Sequence, residues 1–152
     1  MPAFPAPAAA AESDPDALAL RLGYAGLIPF ILGALLMWLV RAEARPYVAL
    51  ALSSYAAVVI SFLGGIHWGM AMRHQPPPRA LIAWGVVPSL LAWPAVMMPP
   101  ASGLVIDALA LLACYGVDRH LYPLHGAAHW LTLRFRLSAV AALSCFIGAA
   151  GG

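Results

Sequence analysis

His67, Asp118 and Arg134 are the side chains in this sequence with the most chemistry to offer, because each stands among apolar neighbours. His67 lies in Ser61-Phe62-Leu63-Gly64-Gly65-Ile66-His67-Trp68-Gly69, Asp118 follows Tyr115-Gly116-Val117, and Arg134 follows Trp130 by four residues. A histidine can hold a ligand or pass a proton, and an arginine can fix a carboxylate or another acceptor oxygen in a set geometry. Ionisable groups in an apolar run are expensive unless they meet one another or water. The reading pairs Asp118 with Arg134 and sets His67 and Trp130 beside them. Trp130 and Arg134 share one helix face at i, i+4. Asp107, Leu111, Cys114 and Asp118 form a second stripe within about 40° of each other. Trp68, Tyr24 and Trp84 fall at the same level of their own segments. Such a cluster is either a structural clamp tying three helices together or a polar pocket for a ligand or cofactor. Both use the same residues, and the clamp is the plainer reading.

Catalytic motifs are missing. The chain has no HExxH, GxSxG, Walker loop, GxGxxG or CxxC. Of its six acids, Glu12, Asp14 and Asp16 sit near the N-terminus, which leaves too few for a site built on paired carboxylates. His67 is the one histidine inside an apolar segment, so a haem held by two histidines is poorly supported. His120, His125 and His129 fall between segments, and a metal site there is no better supported. Cys114 and Cys145 lie in apolar runs and read as small buried hydrophobes. No catalytic or metal residue is assigned, no cofactor is identified, and the chain reads as a non-enzyme more readily than as an enzyme.

The elements that position these groups follow from composition. The 152 residues are 63% hydrophobic and 9% charged, with a mean hydropathy of +0.86. Soluble domains are about 45–50% apolar and about 25% charged, so the chain belongs in a lipid bilayer. The net charge of +2 comes with scattered arginines and no lysine, which argues against nucleic acid. Residues 1–14 read as a disordered Ala/Pro-rich tail, with Asp14 as a helix N-cap and Pro15 at the first helical position. Residues 15–152 read as one all-α membrane domain, a bundle of five transmembrane helices. The spans are expected at about 22–40, 47–72, 80–98, 102–117 and 130–150, each close to the roughly 20 residues that cross a bilayer.

Arginine placement orients the bundle. With the N-terminus cytoplasmic, Arg21, Arg73, Arg79, Arg119, Arg134 and Arg136 share that side, and Arg41 and Arg45 lie opposite. That satisfies the positive-inside rule and places the C-terminus outside. The second span carries small residues at every fourth position, Ser53, Ala57, Ser61, Gly65 and Gly69, a pattern that lets helix backbones approach closely. The plain expectation is packing within the chain, and the sharper one is a homodimer. His67 lies about 200° from Gly65 and Gly69, so this helix is expected to be central. Asp107 is expected near the outer helix end and water. Pro29, Pro88 and Pro94 interrupt their helices.

Leu22-Gly23-Tyr24-Ala25-Gly26-Leu27-Ile28-Pro29-Phe30, Phe62 to Gly69 and Pro88-Ser89-Leu90-Leu91-Ala92-Trp93 resemble a bacterial membrane family known only as a domain of unknown function. Tyr115-Gly116-Val117-Asp118 and Trp130 to Leu137 are similar to its later motifs, with Leu131 where a tyrosine is usual. The family is related to transmembrane protein 69, which is assigned to mitochondria. The resemblance implies a small multi-pass protein of the bacterial inner (plasma) membrane, or the mitochondrial inner membrane in a eukaryote, and implies no activity. The leading functional reading is a non-enzymatic accessory or assembly factor that packs against a partner membrane protein or a second copy. The alternative is a binding protein for a quinone, porphyrin or lipid, with its pocket near the cytoplasmic face.

Overall fold

A computed structural model describes residues 17–152. The tail and the proposed helix start at Asp14 and Pro15 lie outside these residues. Six α-helices make five membrane-length segments, and there is no strand among the described residues. The first segment, Ala17–Leu39, is two helices, α1 (Ala17–Ala25) and α2 (Ile28–Leu39). The others are α3 (Arg45–Ala71), α4 (Arg79–Met97), α5 (Pro100–Leu124) and α6 (Leu131–Ala150).

Local chemistry explains the breaks. Pro29 sits in the first turn of α2, where its missing N–H goes unneeded. The interruption exposes the Gly26 carbonyl, and Tyr55 of α3 donates its hydroxyl to it at 2.9 Å. Pro88 and Pro94 remain inside α4, as membrane helices allow where neighbours fill the gap.

One span differs from the sequence expectation in a way that matters. The fourth was expected to stop near residue 117 at Asp118-Arg119-His120, yet α5 runs on to Leu124. Asp118 does not end the helix because its charge is met inside the bundle by Arg134. The two added turns bury Tyr122 and leave only a short connection to α6. Gly126, at φ +72°, makes that turn, a conformation other residues adopt at a cost.

The interior mixes large and small side chains. Ala49, Ala56, Ala92, Ala95, Ala108 and Ala142 are buried beside Phe30, Met37, Ile60, Leu104 and Leu111, while Leu39, Trp93 and Phe62 point outward. The small residues let the helices pack closely, as expected where lipid is as apolar as leucine. Helix α3 touches α2, α4, α5 and α6. Its closest approach is to α4, where Gly64 faces the Gly85 backbone and Pro88.

Candidate functional site

The second span's phase decides what the site contains. Buried residues on α3 include the line Ser53, Ala56, Ile60, Gly64, His67 and Ala71. This line passes beside the small-residue stripe of the sequence and leaves it halfway. Ser53 is buried, Ala57 and Ser61 are half-buried, and Gly65 and Gly69 are exposed. A Cβ added at Gly65 or Gly69 would meet nothing within 4 Å. The expectation that the whole stripe packs within the chain is therefore corrected. Gly64, one residue and about 100° away, makes the close contact instead.

His67, Asp118 and Arg134 come together from α3, α5 and α6, and are 1%, 0% and 8% exposed. Arg134 donates Nε and Nη2 to Asp118 Oδ2, at 2.9 and 2.5 Å. Asp118 Oδ1 lies 3.1 Å from His67 Nε2 without completing a hydrogen bond to it. His67 Nδ1 lies 3.1 Å from the Leu63 carbonyl one turn back. Both ring nitrogens thus face oxygen acceptors. A neutral imidazole can donate to one of them, and an imidazolium to both. Tyr122 closes the site, its ring centroid 5.8 Å from that of His67. Because α5 was expected to end before it, sequence reasoning missed Tyr122; the apolar Leu121 and the late Pro123 were the only hints.

The remaining predicted members stand apart from this triad. Trp68 points toward α4 and donates Nε1 to the Ile82 carbonyl at 3.0 Å. Tyr24 is exposed and accepts from Arg136 at 3.2 Å. Trp130 lies in a 3-10 turn (Ala128–Trp130) against His129. Trp84 is half-buried with Nε1 unpartnered. Among the described residues no hydrogen bond or ring contact joins any of these four to the triad. For Trp68 the reason is angular: neighbours on a helix differ by about 100°, so it cannot share the face of His67.

Asp107 corrects another expectation. It is fully buried, away from water, with Ser53 donating to Oδ2 at 2.6 Å and Oδ1 unpartnered. The stripe Asp107, Leu111, Cys114, Asp118 is the buried face of α5, so both acids point inward from opposite halves of the bundle. Cys114 and Cys145 are free and buried. No group of three histidine, cysteine or acidic side chains suited to a metal gathers among the described residues. His74 and His125 do meet at the α3 and α5 ends, 5.4 Å apart, with Arg73 beside them.

Comparison with known proteins agrees with this architecture. A family model described as "Protein of unknown function (DUF3429)" matches residues 15–150. Transmembrane protein 69 of Xenopus tropicalis is 38% identical over 142 residues, covering 88% of this chain and 54% of the relative. Transmembrane protein 69 of Mus musculus is 27% identical over 132 residues, covering 85% and 54%. The chain spans about half the length of the curated relatives it matches. No solved structure matches. With five helices long and apolar enough to cross a bilayer and a family model covering nearly its whole length, the chain is a multi-pass membrane protein that belongs to the DUF3429 family.

Proposed function

We propose that the protein is a non-enzymatic accessory or assembly factor that receives a transmembrane helix, of a partner or of a second copy, on the outward face of α3. The observation that carries this is the exposure of Gly65 and Gly69, with open space where a Cβ would stand. Half-buried Ala57 and Ser61 continue the same line. In a bilayer, small residues four apart let a second helix come close enough for its backbone to pack. Since nothing in the chain covers Gly65 and Gly69, intramolecular packing does not account for that end of the stripe. A ligand site made from the triad itself has less support, because Asp118 Oδ2 is taken by Arg134, and Asp118 Oδ1 and His67 Nε2, though not hydrogen-bonded, lie only 3.1 Å from each other inside the protein.

The membrane and orientation belong to the same proposal. Arg134 spends its charge on Asp118, leaving Arg21, Arg73, Arg79, Arg119 and Arg136 exposed toward one end and exposed Arg41 and half-buried Arg45 toward the other. The bias supports a cytoplasmic N-terminus in a bacterial inner membrane, or a matrix-side one in a mitochondrion.

The test is the native mass of the protein extracted in lipid nanodiscs from its own host. The expected result is an excess over the 15.9 kDa chain that belongs to a protein and disappears in Gly65→Leu and Gly69→Leu. Leu109→Ala, at an exposed position on α5 and off the α3 face, should keep it. A complex that survives both glycine changes would refute docking at this face.

A further inference from the structure

Where α1 breaks from α2, a cavity of about 240 Å³ opens between that break, α3 and α6. Leu27, Phe30, Val59, Leu63 and Leu137 form apolar walls. Leu22 and Phe62 also line it and are 64% and 67% exposed, so the mouth faces sideways, onto the surface that lipid covers. Two polar side chains from one face of α6, Arg134 and Ser138, reach the lining.

Ser138 is the informative one. It is 2% exposed, and its Oγ has no hydrogen-bond partner. Two other helical serines of this chain satisfy themselves locally. Ser61 donates to the Ala57 carbonyl at 2.8 Å and Ser144 to the Val140 carbonyl at 2.9 Å, the usual bond one turn back. A buried hydroxyl that lines a cavity without such a bond is a donor waiting for an acceptor. Arg134 beside it is fixed by Asp118, which cancels its net charge. The cavity therefore favours a neutral acceptor over an anion.

We propose that this cavity binds the ring end of a neutral, membrane-soluble carbonyl compound of the quinone class, with its carbonyl oxygen accepting from Ser138 Oγ. The size fits one end of such a molecule. Pockets that enclose a whole small ligand run about 300–1,000 Å³, and this one is smaller, with a mouth through which a tail would stay in the bilayer. Phe30 and Tyr55, packed edge to face at 5.1 Å, supply an aromatic wall. Ser138 stands about 10 Å along α6 from Leu131. A ring dissolved in the bilayer core reaches that depth, whereas a lipid ester is tethered to its headgroup. Ser138 lies on α6, away from Gly65 and Gly69, and the proposal does not depend on docking there, although Phe62 at the mouth adjoins that face of α3.

The experiment is titration of the full chain, in nanodiscs of an ether-linked phospholipid without ester carbonyls, with a quinone bearing a decyl tail. Calorimetry should show saturable one-to-one binding above empty nanodiscs. Ser138→Ala, which removes one hydroxyl, should weaken it about threefold to tenfold without lowering the unfolding temperature. Val59→Phe should fill the cavity and abolish it. No saturable binding, or equal binding by both variants, overturns the proposal. So does a phospholipid adduct in ester-lipid nanodiscs that the quinone fails to displace and Val59→Phe removes, which would give the cavity to a lipid ester.

Discussion

At the scale of single residues, Asp118 is the hinge of the polar interior because one carboxylate serves two helices. Arg134 takes one oxygen and His67 faces the other, with none of the three open to water. Such a cluster need not raise stability over a well-packed apolar core, yet removing one partner strands a charge at a cost of about 3–5 kcal/mol. Arg134→Leu should therefore lower stability by roughly that amount, measured by unfolding in bicelles. The double variant Asp118→Leu, Arg134→Leu should lose much less, since no charge is stranded. Equal losses in single and double variants would mean that packing, and not charge compensation, sets the value of the site. These groups were visible in the sequence because charges are rare in apolar runs and must find each other. Ser138 was not visible, because a serine in a membrane helix normally bonds its own backbone and gives no sign when it does not.

At the scale of elements, two neighbouring glycines have opposite roles. Gly64 lies against the Gly85 backbone, and Gly85 in turn leaves room for the Trp68 indole. Gly65 faces outward with open space around it. Gly64→Val should therefore destabilise the isolated chain by about 1–3 kcal/mol or more through overpacking, with α3 and α4 forced apart. Gly65→Val should leave unfolding of the isolated chain close to wild type. Thermal unfolding of the two variants side by side decides this, and equal destabilisation would contradict the assigned faces. The difference also shows where sequence reading stopped. Repeats of small residues at every fourth position are legible, but Ser53, Ala57, Ser61, Gly65 and Gly69 drift around the helix against the true packing line. A one-residue change of phase is about 100°, and only the neighbouring helix fixes it. The end of α5 was misplaced for a related reason: Asp118 reads as a stop signal until Arg134 is known to neutralise it.

At the scale of the whole molecule, five helices among the described residues are long and apolar enough to cross a bilayer. The connection between α2 and α3 carries Arg41, Glu43 and Arg45, and that between α3 and α4 carries Arg73 and Arg79. They flank α3, so the five-span reading expects the two connections in opposite compartments. Five runs of about 20 apolar residues foretold the five helices, because a helix of that length crosses the bilayer with its backbone satisfied internally. Direction rests on the weaker ground of arginine bias. Cysteine labelling separates the two statements. Cys114 and Cys145 are buried, so an impermeant maleimide should report mainly an introduced thiol. Gln75→Cys and Glu43→Cys, both at exposed positions, should label from opposite sides of sealed vesicles. Gln75→Cys should be the one protected in right-side-out vesicles and labelled in inverted ones. Labelling of both from one side would remove a crossing and break the five-span architecture. The reverse assignment would keep that architecture and turn the molecule over, moving Arg21, Arg73, Arg79, Arg119 and Arg136 to the outer face against the charge rule.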